Sequence, residues 1–156
     1  MGDKCLVLYT NFPYLADEED FEKFRKAGIE IETEEIKEDL AFVDLPTRSG
    51  SENETHRALK KLGSGLLCKL GAVDVAFENY FIDVSSKKLQ IAIECGDTPI
   101  GRVWSMLFND FCSQWIKEVW CIYLESGKIE LVKFIKSQSV LDYEKKIGWK
   151  ATAQEL

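Results

Sequence analysis

A chain of 156 residues, 46% of them apolar and 30% charged, can bury a core of its own without disulfides or metals. Its net charge of −7 is unevenly placed, with 15 Asp and Glu against 6 Lys and Arg in residues 1–54 and 12 against 14 in residues 55–156. That balance argues against a phosphate-backbone partner, and no run approaches the roughly 20 apolar residues of a membrane span.

In chain order, the apolar run Cys5–Thr10 reads as a buried strand, broken by Asn11-Phe12-Pro13-Tyr14. Asp17 to Asp20 then open a helix, with acids in the first turn where the dipole favours them. Phe21 and Phe24 share one face of it, and Gly28 closes it. Ile29, Ile31 and Thr33 alternate with Glu30, Glu32 and Glu34, the mark of a half-buried strand with an acidic outer face. Residues 40–45 predict a further strand stopped by Pro46, and 47–53 a polar loop.

A helix is expected from about Asn53, with Ala58, Leu59 and Leu62 on one side. Gly63-Ser64-Gly65 should break or weaken it, since an interior glycine costs about 1 kcal/mol. Residues 73–77 and 79–84 read as strand, Ser85–Lys88 as a turn, and 89–95 as the returning arm of a hairpin. Thr98 as N-cap and Pro99 at the first helical position predict a long helix. Its apolar stripe runs from Ile100 through Trp104, Phe108 and Trp115 to Ile116. A second hairpin spans 120–124 and 129–135 around Glu125-Ser126-Gly127-Lys128, and a short helix follows from Ser139 to about Ile147.

Such a hairpin-rich order predicts an α+β fold, with a mostly antiparallel or mixed sheet, two hairpins and about four helices packed on it. One domain is expected over residues 1–150, followed by a polar tail at 151–156.

Five scattered cysteines (Cys5, Cys68, Cys95, Cys112, Cys121) form no C-x-x-C pair, and the N-terminus lacks the basic start and long apolar run of a signal peptide. Reduced thiols and a cytoplasmic location are expected.

One histidine, His56, rules out a multi-histidine metal site, and no glycine cluster has phosphate-loop or dinucleotide spacing, so no cofactor and no metal are expected. Cys95 precedes a helix start, but Glu94 and Asp97 beside it would raise its pKa. Asp83 and Glu94 lie on the two arms of one hairpin, yet the residue two after Glu94 is Gly96 rather than the lysine of a metal-dependent nuclease.

Two features suit binding better than catalysis. One is the acidic series Asp17, Glu18, Glu32, Glu34, Glu35, Glu38 and Asp39, and the other is the aromatic pair Phe12 and Tyr14 at a strand end. Acids beside an aromatic anchor can occupy the groove of a basic enzyme, because complementary charge speeds encounter and suppresses wrong partners. In general character the chain is similar to bacterial toxin-immunity proteins. That similarity implies a non-catalytic protein inhibitor whose partner is a basic, nuclease-like enzyme.

Two alternatives stand beside it. One is a small-ligand regulatory or adaptor domain whose acidity serves solubility. The other is an enzyme with a carboxylate site formed by Asp83, Glu94, Asp97 and Arg102.

Overall fold

Strands buried on both faces, among them 91–95 and 119–123, build the centre of the molecule. The computed structural model describes residues 7–9, 13–15, 18–37, 54–109 and 111–147. Two strands, β1 (Val7–Tyr9) and β2 (Pro13–Leu15), form an antiparallel pair. Helix α1 (Glu18–Lys26) leads through Gly28, at φ +88°, into β3 (Ile29–Ile36). Helix α2 (Glu54–Lys69) precedes β4 (Ala76–Asn79), β5 (Ile82–Ser86) and β6 (Ile91–Cys95). The two-residue β7 (Thr98–Pro99) pairs in parallel with β1 and opens directly into α3 (Ile100–Phe108). A 3-10 turn at Phe111–Gln114, β8 (Glu118–Glu125), β9 (Lys128–Lys136) and α4 (Gln138–Lys146) complete the described chain.

The fold is α+β, with four helices and a six-stranded mixed sheet among the described residues. The sheet has the order β3-β9-β8-β6-β5-β4, and only β6–β8 is a parallel neighbour pair. Side chains of a strand alternate between faces. Ile29 and Ile31 of β3, Val132 and Phe134 of β9, and Val119, Cys121 and Tyr123 of β8 face one way, beneath α1 and α3. Phe24 of α1 meets Phe134 at 4.9 Å and Trp104 of α3 at 5.2 Å, ring pairs worth about 0.5–1.5 kcal/mol each beyond their burial. On the other face Leu131, Trp120, Ile122 and Ile93 lie against Leu59 and Leu67 of α2.

Several expectations are corrected by the structure. Residues 13–15 are strand rather than a plain break. Helix α2 runs unbroken through its glycines. Gly63 is buried against Ile93, where an added Cβ would stand 3.4 Å from two of its methyl carbons, so the glycine lets helix and sheet approach closely. Thr98 does not cap α3. It is strand, its hydroxyl donates to Gly96 O, and Pro99 is the residue that precedes the helix.

Helix α3 stops at Phe108 instead of reaching Ile116. The apolar periodicity continues because Ile116 is still core, so the pattern reports burial rather than helical hydrogen bonding. The reading of 79–84 as one strand fails as well, because a further hairpin turns at Tyr80-Phe81 between β4 and β5. The predicted strand at 40–45, the loop at 47–53 and the tail at 151–156 lie outside the described residues.

Candidate functional site

The acidic strand β3 sits at one edge of the described sheet, paired on one side with β9. Glu30, Glu32 and Glu34 alternate on the face that also carries Leu131, and all three are exposed. Glu32 lies opposite Lys133, which also stands 3.7 Å from a Glu34 oxygen and 4.4 Å above the Trp120 ring. One cation therefore partly neutralises that row.

Glu35 points to the other face, opposite Glu130 of β9. Side chains directly opposite on antiparallel strands have Cβ atoms roughly 5 Å apart, and like charges there repel. Glu125, at the end of β8, adds to the same field. Burial, then Glu35, then Glu125 raise the Glu130 carboxyl above its ordinary range, with Lys128 and Lys37 opposing. Lys37 is 3.3 Å from Glu35, but its side chain is 81% exposed and screened by water. Three carboxylates thus converge at one end of the sheet.

A second carboxylate cluster lies across the sheet. The β5–β6 register runs Ser86↔Ile91, Ser85↔Ala92 and Val84↔Ile93, and beyond it side chains replace the ladder. Asp83 Oδ2 accepts from Cys95 N at 2.8 Å, and Glu94 Oε2 accepts from Asp83 N at 3.1 Å. Each carboxylate also reaches a basic side chain on a covering helix. His56 Nε2 of α2 stands 3.2 Å from Asp83 Oδ2, and Arg102 Nε of α3 donates to Glu94 Oε1 at 3.0 Å. Burial foremost, then Asp83, pushes the Glu94 carboxyl up against the opposing pull of Arg102. Lys60, fully buried on α2, pairs with Glu78 of β4 nearby.

Of the expected set Asp83, Glu94, Asp97 and Arg102, hydrogen bonds and ion pairs link Asp83, Glu94 and Arg102 at one junction, and His56 joins them. Asp97 is exposed on the bend after β6. Oxygens of both carboxylates are taken by main-chain N–H groups, so the cluster closes a splayed strand end. The Cys95 thiol is buried, and burial, then Asp83 and Glu94, push its pKa well up.

The other expected site residues divide. Glu18 pairs with Arg25 along its own helix. Glu32 and Glu34 share one face, and Glu35 takes the opposite one. Tyr14 lies in β2, within the small sheet formed with β1 and β7. Phe12, Asp17, Glu38 and Asp39 lie outside the described residues.

Sequence reasoning passed over Glu125 and Glu130, because only the strand register places them beside Glu35. Among the described residues no helix is long and apolar enough to cross a membrane, and no group of three His, Cys, Asp or Glu could hold a metal ion. The chain matches no protein-family model, no curated protein and no solved structure.

Proposed function

We propose that the chain is a non-catalytic inhibitory domain that binds a basic protein, a nuclease-like toxin being the enzyme class its acidity suits, as an immunity protein does. The observation that carries this reading is the placement of Glu35 directly opposite Glu130, with Glu125 adding to the same charge. Like charges in that position weaken the free protein. A partner's Lys or Arg entering between them removes the repulsion and gains charge-assisted hydrogen bonds. Acidic side chains presented in this way can pair with the cations that a nuclease uses to hold phosphate.

Occupation of Asp83 and Glu94 by main-chain donors supports the non-catalytic side of the reading. A general base must reach a substrate proton, and these oxygens already hold the end of a ladder.

The test begins with the immobilised chain in lysate of the cells that make it, washed at low and moderate salt. The expected result is one stoichiometric basic protein whose association rate falls as salt rises. Charge reversal by Glu32→Lys, Glu34→Lys and Glu35→Lys should slow that association and flatten its salt dependence, with the larger effect at Glu35. Association unchanged across the three variants would remove the acidic-face mechanism.

A further inference from the structure

A two-residue hairpin loop with positive φ at both positions is a type I′ turn, and its usual sequence is Asn-Gly because larger side chains crowd the backbone there. The loop between β4 and β5 is instead Tyr80-Phe81, at φ 55° and 62°. Glu78, two residues before Tyr80, is also left-handed at φ 56°. Three non-glycine residues within the four of 78–81 held in that region cost stability, and such strain collects where a side chain must be aimed.

The side chain so aimed is Phe81. It is 90% exposed, the most exposed large hydrophobic residue among those described. Its neighbour Tyr80 turns back toward Trp115, with ring centroids 6.3 Å apart. Neither backbone preference nor burial favours this arrangement, yet its surroundings hold it firmly. Arg102 donates from one Nη to the Phe81 carbonyl at 2.9 Å and from Nε to Glu94 at 3.0 Å. Glu78 at the base of the turn is paired with buried Lys60. The tip is a pre-organised protrusion, and pre-ordering lowers the entropy lost on binding.

Its position follows from topology. β5 runs antiparallel to β6, β6 parallel to β8, and β3 in the same direction as β8 across β9. The start of β5 therefore lies at the same end of the sheet as Leu124, Glu125, Glu130 and Glu35. Four strand spacings separate β5 from β3, roughly 20 Å. A standard interface of about 800 Å² per partner spans roughly 30 Å, so one partner can cover both.

We infer that Phe81 is the aromatic anchor of this surface, inserting into an apolar pocket of a basic protein partner whose cations, up to roughly 20 Å along the same face, meet Glu35, Glu125 and Glu130. The inference rests on the inhibitory-binding reading and deepens it by giving the acidic end its anchor. Aromatic residues at the centre of an interface and ringed by polar groups carry much of the binding energy in known complexes.

A site-directed photo-crosslinker separates this inference from the reading beneath it. Full-length chains carrying Phe81→p-benzoylphenylalanine, Glu35→p-benzoylphenylalanine or Tyr143→p-benzoylphenylalanine are irradiated in lysate of the source cells at low and moderate salt, and adducts are mapped by mass spectrometry. The expected result is an adduct from position 81 to an apolar residue of one basic protein, to which position 35 also links. Moderate salt should reduce both adducts, and position 143, on α4, should give none to that protein.

An adduct from position 35 without one from 81 overturns the anchor and leaves the acidic reading standing. An adduct from 81 to a second copy of this chain, or to a protein without basic charge, overturns the partner chemistry. Silence at both positions removes the inference and the reading together. Where the partner is found, the double variant Tyr80→Asn with Phe81→Gly should bind it at least about tenfold more weakly while melting at a higher temperature than the parent chain. Unchanged affinity in a folded double variant also overturns the anchor.

Discussion

The two carboxylate clusters use the same residue types at one end of the same sheet, and they do opposite things. Asp83 and Glu94 also repel each other, but main-chain N–H groups donate to both carboxylates, and His56 and Arg102 bring a basic side chain from each covering helix. At Glu35, Glu125 and Glu130 like charges add to burial in raising the Glu130 carboxyl, and the opposing cations, Lys128 and Lys37, are exposed. A buried charge persists only when paired, and Glu94 is buried and paired, whereas the half-buried Glu35, Glu125 and Glu130 keep contact with water. Pairing therefore distinguishes the two sets, although a motif search would treat them alike.

The sharpest way to break this comparison is to remove a compensating group. Arg102→Ala leaves Glu94, only 8% exposed, without its guanidinium and frees the Phe81 carbonyl from its clamp. Breaking a buried pair from one side costs about 3–5 kcal/mol, and partial exposure of Arg102 places this variant near 2–3 kcal/mol. Urea unfolding should register that loss, and the Glu94 pKa, followed by NMR, should rise further. Glu94→Gln keeps an acceptor for Asp83 N and should cost less. A folded Arg102→Ala variant within about 0.5 kcal/mol of the parent would mean the cluster carries no structural load.

A smaller effect separates two glycines that look equivalent in the sequence. In α2, an added Cβ at Gly65 would meet nothing within 4 Å, whereas at Gly63 it would press on Ile93. Gly65→Ala should stabilise by about 0.5–1 kcal/mol through helix propensity alone. Gly63→Ala should gain less, because its methyl would sit 3.4 Å from two Ile93 carbons, at the tight edge of ordinary contact. Equal gains in thermal unfolding would show that Gly63 is not needed for the close approach.

These glycines also mark where the sequence stops being readable. Strand β3 was legible from its period of two, and the β8–β9 hairpin from two short apolar runs flanking Glu125-Ser126-Gly127-Lys128. Gly63 was misread because propensity describes an isolated helix, and packing against Ile93 overrides it here. The turn at Tyr80-Phe81 was invisible, since neither residue is a turn former and its cause is tertiary, in Arg102 and Lys60. The junction of Asp83, Glu94 and Arg102 could be seen from one hairpin and the helix after it. Adding His56 required knowing that α2 covers that strand end, and pairing Glu35 with Glu130 required the β3–β9 register.

The smallest expected effect tests the half-buried cluster of Glu35, Glu125 and Glu130 directly. Glu130→Gln removes the central charge of the three and should stabilise the free protein by a few tenths of a kcal/mol, the size of a like-charge cross-strand pair in water. The sign of the pH dependence follows from the raised Glu130 carboxyl. Its folded state holds the proton more tightly than the unfolded chain does. The contribution to stability is therefore fully present below the unfolded pKa and is lost as pH rises through the folded one. Glu130→Gln should flatten that acid-range slope, and added salt should shrink the difference between variant and parent. The same substitution should weaken binding of a basic partner, since the repulsion that destabilises the free surface is what the partner relieves. A variant that is more stable yet binds as tightly as the parent would separate the two and leave the convergence of Glu35, Glu125 and Glu130 without a role in recognition.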